Sequence, residues 1–107
     1  LLCSPAQRAR ATGEHLAAAL DCTDLRADER IYEATPATLL RVLDEHAHTP
    51  CLLLVGHNPG FETLVALLSS GSSDGGRGMP PGAVAWLSLP PGEIEPGSAS
   101  VRHFWWP

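Results

Sequence analysis

The strongest constraint on how this chain folds is a junction that recurs. Three times a short polar residue followed by proline opens a helical pattern: Ser4-Pro5, Thr35-Pro36 and Asn58-Pro59. An oxygen-bearing side chain at such a point can satisfy an orphan amide of the first helical turn. Proline at the first helical position gives up no hydrogen bond. At the first junction Gln7 follows Ser4 at the spacing of a capping box. These signals predict helices over roughly 5–20, 36–47 and 59–69. Ala9, Gly13, Leu16, Ala17 and Leu20 mark the buried face of the first. Leu39, Leu40 and Leu43 mark that of the second, and Leu64, Val65, Leu67 and Leu68 that of the third.

An apolar piece precedes each helix. Leu1–Cys3, Arg30–Tyr32 and Cys51–Val55 are predicted strands, the last a continuous run suited to cover on both faces. The stretch SSGSSDGGRGMPPG (69–82) reads as a flexible connection, because its glycines lack phosphate-loop spacing and a following Lys. Beyond it, Ala83–Leu89 and Ala99–Trp106 are predicted strands separated by the turn-rich PPGEIEPGS. Strands alternating with helices imply a three-layer α/β/α arrangement on a mainly parallel sheet. At 107 residues the chain makes a single domain with one core. In such sheets ligands bind past the carboxyl ends of the strands, beside helix N-termini.

Charge narrows the ligand. All seven basic residues are Arg, and the net charge is −5. That balance disfavours a nucleic-acid or anionic-membrane partner but allows a local Arg cluster for a small anion. No apolar stretch approaches the ~20 residues of a membrane span. Cys3, Cys22 and Cys51 are scattered and form no C-x-x-C pair, which favours a reducing, cytoplasmic setting. The opening Leu1-Leu2-Cys3, without Met or a polar lead-in, suggests an excerpt from a longer protein.

Two residues hold equivalent addresses. Arg8 and His57 each follow an apolar strand at a junction into a Pro-started helix. Arg8 and Arg10 near a helix N-terminus oppose the helix dipole by ~0.3–1 kcal/mol each. A bound anion reverses the sign of that cost, and guanidinium is the natural bidentate partner of phosphate. The plainer alternatives are two solvated arginines and a strand-end histidine bonded to a neighbouring carbonyl. The conjunction favours the sharper reading, since both groups would converge on the ligand edge of the sheet.

SPAQRARAT followed by LLLVGHNPG resembles the histidine phosphatase superfamily, with its phosphoglycerate-mutase-like fold, and most closely its SixA-type phosphohistidine phosphatase branch. Ser4, Pro5, Arg8, Ala9 and Thr12 match the family's Ser-Pro-x-x-Arg-Ala-x-x-Thr motif. His57, with Asn58 and Pro59 following, matches the strand that ends in the family's second catalytic histidine. MPPGAVAWLSL resembles the next strand of that branch, so the likeness spans nearly the whole chain. The resemblance implies that Arg8 binds the transferred phosphoryl group and that His57 stabilises its charge, with Asn58 as a further phosphate contact. Glu33, in ERIYEATP, stands where many members carry the acid that protonates the leaving group; a solvated carboxylate is the alternative there. No cofactor or metal is implied. The substrate would be phosphohistidine on a protein, or else a small phosphomonoester.

The departures matter as much. Relatives often carry a hydroxyl residue where Pro81 stands. The family's nucleophile is a histidine in an Arg-His-Gly or Arg-His-Ala motif on the first strand, and the chain has no such motif. Arg102-His103 is followed by Phe104 near the opposite end. The expectation is therefore a partial histidine phosphatase domain over 1–107, lacking the first strand and helix, and weakly active or inactive alone. A non-catalytic phosphate- or phosphoprotein-binding module is the alternative from a different class.

Three other chemistries fit less well. A cysteine phosphatase needs five residues between Cys and Arg, whereas four separate Cys3 from Arg8. Gly56-x-x-x-Gly60 mimics a nucleophile elbow, but its central residue is His57 rather than Ser. His46 and His48, two residues apart at a helix end, point to different faces and make a poor metal pair.

Overall fold

The computed structural model describes residues 1–72 and 78–106. Its elements are β1 (Leu2–Cys3), α1 (Gln7–Ala19), β2 (Arg26–Ala27), a 3₁₀ turn (Glu29–Ile31) and α2 (Pro36–Glu45). Then come β3 (Leu54–Val55), α3 (Gly60–Ser70), β4 (Val84–Ser88) and β5 (Ser100–Trp105). β1 pairs in parallel with β2 on one side and β3 on the other, giving the order β2-β1-β3. β4 and β5 form a separate antiparallel pair with a register shift between Trp86 and Leu87. The domain is thus α/β, with a small parallel sheet and three helices.

Side-chain alternation on β1 divides the interior. Leu2 belongs to a cluster with Ile31, Leu39, Val42, Leu43, Leu64, Leu68 and Ala99, which joins α2 and α3 to the sheet. Cys3 points the other way, where a Cβ on Gly13 of α1 would lie 3.3 Å from the Cys3 Cβ. Glycine at 13 therefore lets α1 lie close on β1. The α1 stripe buries Ala9, Gly13 and Ala17, whereas Leu20, expected inside, is 62% exposed. α2 buries Val42 beside Leu39 and Leu43, and α3 buries Ala66 beside Leu64 and Leu68. Leu40, Val65 and Leu67 are only half-buried.

Four local expectations are corrected. Residues 30–32 do not make a strand. Asp28 accepts the Arg30 backbone N–H at 2.9 Å and caps the 3₁₀ turn, which drives Ile31 alone into the core. The strand lies earlier, at Arg26–Ala27, whose side chains are exposed and so carry no apolar signal. α1 does not begin at Pro5, because the Ser4 backbone still donates to the Val55 carbonyl at 2.9 Å and prolongs the sheet ladder. Its cap position is Ala6, without a side-chain bond. α3 begins at Gly60, with Pro59 at the cap. β3, finally, is half-buried rather than covered on both faces. The start of α2 follows expectation, with Thr35 accepting the Thr38 N–H at 3.3 Å and Pro36 opening the helix.

The C-terminal hairpin is moored to α3. Gly71 ends that helix in the left-handed region at φ 81°. The carbonyls of Leu67 and Leu68 accept the amides of Gly97 and Ala99, each at 2.9 Å. Leu87 and Ile94 pack against the core from this side. The connection expected over 69–82 falls partly on residues 73–77, outside the described residues.

Candidate functional site

Parallel pairing of β1 with β3 brings two loops far apart in sequence to one edge. Ser4 follows β1 and His57 follows β3 by two residues, both at carboxyl ends. Ser4 is 0% exposed, and its Oγ lies 2.7 Å from His57 Nε2. The same oxygen accepts the Ala6 backbone N–H at 3.3 Å. The Tyr32 ring meets the imidazole edge-on, with centroids 5.8 Å apart and planes at 87°. His57 is thus oriented by a buried hydroxyl and an aromatic ring.

The glycines of GHNPG explain how close the walls come. A Cβ on Gly56 would lie 2.5 Å from two Phe61 ring carbons and 2.8 Å from Ile31 Cγ2. A Cβ on Gly60 would collide with the Ala34 carbonyl oxygen. Glycine at these points lets α3 and the 33–36 loop approach, and a cleft of ≈ 490 Å³ remains between them. Glu33, Thr35, His57, Asn58 and Thr63 are among the residues lining it. Glu33 adopts φ 49°, an uncommon left-handed backbone for a residue with a side chain.

Asn58 frames this cleft with both ends of its amide engaged. Its Oδ1 accepts the Glu62 N–H at 3.2 Å, and its Nδ2 donates to the Met79 carbonyl. Glu62 in turn accepts the Met79 N–H at 3.0 Å, so the two side chains tie the 78–80 segment across the start of α3. Of the four residues singled out from sequence, His57, Glu33 and Asn58 line this cleft. Arg8 stands exposed in the first turn of α1, outside that lining and with no ion-pair partner among the described residues. It sits at the carboxyl end of β1, the sheet edge that also carries His57.

Ser4 and Tyr32 were not anticipated as site residues. Ser4 carries the signature of a helix cap, and Tyr32 lies in a predicted strand. Neither has a local signal for its contact with His57, since 53 residues separate Ser4 from it.

The competing chemistries also find their places. Burial pushes the Cys3 thiol above its ordinary pKa despite the opposing field of Arg10, and the residue is 2% exposed. A buried thiol held protonated is a poor phosphatase nucleophile. His46 closes the end of α2, its Nδ1 2.9 Å from the Val42 carbonyl oxygen. Among the described residues no group of three or more His, Cys, Asp or Glu is placed to hold a metal ion. No described helix is long and apolar enough to cross a membrane.

No protein-family model, curated protein or solved structure matches this chain.

Proposed function

We propose that this edge is the phosphoryl-binding half of a histidine phosphatase site of the phosphohistidine phosphatase type, on a three-layer, phosphoglycerate-mutase-like domain. The carrying observation is the Ser4–His57 hydrogen bond beside an open cleft at the carboxyl ends of parallel strands. That is the edge where α/β sheets bind anions. Arg8 supplies a guanidinium from the start of α1 and His57 an imidazole, two groups suited to phosphoryl oxygens. Glu33 faces the same cleft and is the candidate proton donor to a leaving group.

The chemistry requires a nucleophilic histidine from outside these residues. Its imidazole nitrogen attacks phosphorus while the bond to the leaving group breaks. A proton from Glu33 or water passes to that leaving group, and water then hydrolyses the phosphohistidine intermediate. Two features favour such a complement. β3 ends its sheet with one side unpaired among the described residues, and the β4–β5 pair stands apart from it. A further strand at these edges would complete one continuous sheet. The substrate is phosphohistidine on a protein, with a small phosphomonoester second; the setting is cytoplasmic, in keeping with three free cysteines.

The other histidines favour a second reading, a phosphate-binding module without turnover. His57 is the one histidine in the cleft lining, and His103 stacks against Trp86 and Trp105 on the hairpin. A titration with inorganic phosphate followed by NMR tests the shared core of both. Saturable shifts of the His57 ring and the Arg8 guanidinium are expected, and His57→Ala should abolish them. Unchanged spectra at tens of millimolar phosphate would exclude both. In the encoded protein, His57→Ala should lower turnover of a phosphohistidine-bearing protein by about a hundred- to a thousandfold. Saturable phosphate binding with no turnover by that protein would leave the binding module.

A further inference from the structure

We infer that Ser4 is a positioning residue that holds neutral His57 as its Nδ1–H tautomer, so that the imidazole offers an N–H to the cleft without being charged. The inference follows from the inventory of donors and acceptors around one buried oxygen. Ser4 is wholly buried, so water cannot take its hydroxyl proton. Its Oγ receives the Ala6 N–H at 3.3 Å, which occupies one lone pair. Among the described residues the remaining hydrogen-bond neighbour is His57 Nε2 at 2.7 Å.

Two arrangements of protons are possible for a neutral ring. If Nε2 carried the proton, it would donate to Ser4 Oγ, and the buried Ser4 hydroxyl proton would have no acceptor among the described residues. A buried donor without a partner is strongly disfavoured. If Nδ1 carries the proton, Nε2 accepts from Ser4 and the buried hydroxyl has its acceptor. The hydrogen bond at one ring nitrogen thus decides the state of the other. Nδ1 has no protein partner among the described residues, on a ring that lines the cleft.

The chemical consequence concerns the ligand. A free imidazole favours the Nε2–H form, which would leave a bare lone pair at Nδ1 to repel an anion. Ser4 reverses that preference through contacts made on the side of the ring away from the ligand. The tautomer follows from the protein's own hydrogen bonds; only its use toward a phosphoryl oxygen rests on the function proposed above. Among the described residues, Tyr32 and Glu33 are the titratable groups that approach the ring or share its cleft.

Long-range ¹H–¹⁵N spectra of His57 test the assignment at about pH 8.5, where an ordinary imidazole is neutral. The wild-type chain should show a protonated-type Nδ1 and a lone-pair-type Nε2. Ser4→Ala should return the ring toward the Nε2–H form and weaken inorganic phosphate binding by at least about tenfold, with an unchanged amide spectrum elsewhere. Ser4→Thr, which keeps the hydroxyl, should retain the wild-type nitrogen pattern. A wild-type Nε2–H tautomer would overturn the inference, and that measurement needs no variant to fold. An Nδ1–H ring that ignores phosphate would uphold Ser4's role and remove the phosphoryl-site proposal instead.

Discussion

At the scale of single residues, glycine and serine do more for this site than charged side chains. Gly60 is the sharpest case, because it lies at the first position of α3, where alanine ordinarily favours a helix by up to ~1 kcal/mol. Here a Cβ would press on the Ala34 carbonyl, a backbone atom that cannot swing aside. Gly60→Ala should therefore destabilise the chain by about 1–3 kcal/mol in urea unfolding, opposite in sign to the helix propensity. Stabilisation would mean that the 33–36 loop moves freely from α3. Gly56→Ala meets the Phe61 ring and Ile31 and should cost a similar amount, about 1–3 kcal/mol. The motif GHNPG was legible as a strand-to-helix junction. That its glycines set the width of a cleft was not, because Ala34 and Ile31 come from elsewhere in the chain.

At the scale of elements, an exposed ionic clamp joins the 3₁₀ turn to α2. Arg30 bonds Asp28 at 2.7 Å and reaches Glu45 at the end of α2 at 2.9 Å. Hydrogen bonds from Arg30 hold both carboxyls below their ordinary pKa values. A depressed carboxyl pKa contributes stability that is complete above the unfolded value and is lost as pH falls through the folded one. The stability gap between wild type and Arg30→Ala should thus be full near neutral pH. It should close below the ordinary carboxylate range, about pH 4 and lower, when thermal unfolding is followed against pH. A gap unchanged at low pH would show that Arg30 acts through packing alone. This clamp also explains the mistaken strand at 30–32: Arg and Tyr flanking one Ile resemble a short strand, while the side chain of Asp28 dictates a turn.

The C-terminal hairpin contributes differently. Trp86, His103 and Trp105 stack on one another with centroids 5.1–6.4 Å apart, although Trp86 is 56% exposed and Trp105 49%. Cross-strand aromatic contact rather than burial holds this face together. Trp86→Ala should weaken the hairpin by about 1 kcal/mol and reduce the near-ultraviolet circular dichroism.

At the scale of the whole molecule, two bodies of unequal cohesion share one core. The parallel sheet is locked between Cys3 against α1 and Leu2 against α2 and α3. The hairpin is linked through Gly97, Ala99, Leu87 and Ile94 and adds no strand to that sheet. A lone two-stranded pair has little stability of its own. Amide exchange should accordingly be faster across Val84–Ser88 and Ser100–Trp105 than in α2 and α3. Equal protection throughout would show one cooperative unit instead.

The sequence by itself determined most of the order of elements: helices announced by Thr35-Pro36 and Asn58-Pro59, the short apolar strands β1 and β3 ahead of α1 and α3, and two final strands around a proline-rich turn, but not the exposed β2. These signals act over about one turn of helix or one pleat, so they can be read locally. It also placed His57 at a strand end, because the apolar run stops there. Tertiary structure decided the rest. The hydroxyl of Ser4 accepts the nearby Ala6 amide and also meets a distant imidazole, and only the parallel register of β1 on β3 brings that second partner within reach. That register brings Ser4 and His57 together from segments whose local sequence contains no record of one another. A hydrogen bond formed across 53 residues depends on chain closure, and no local propensity encodes it.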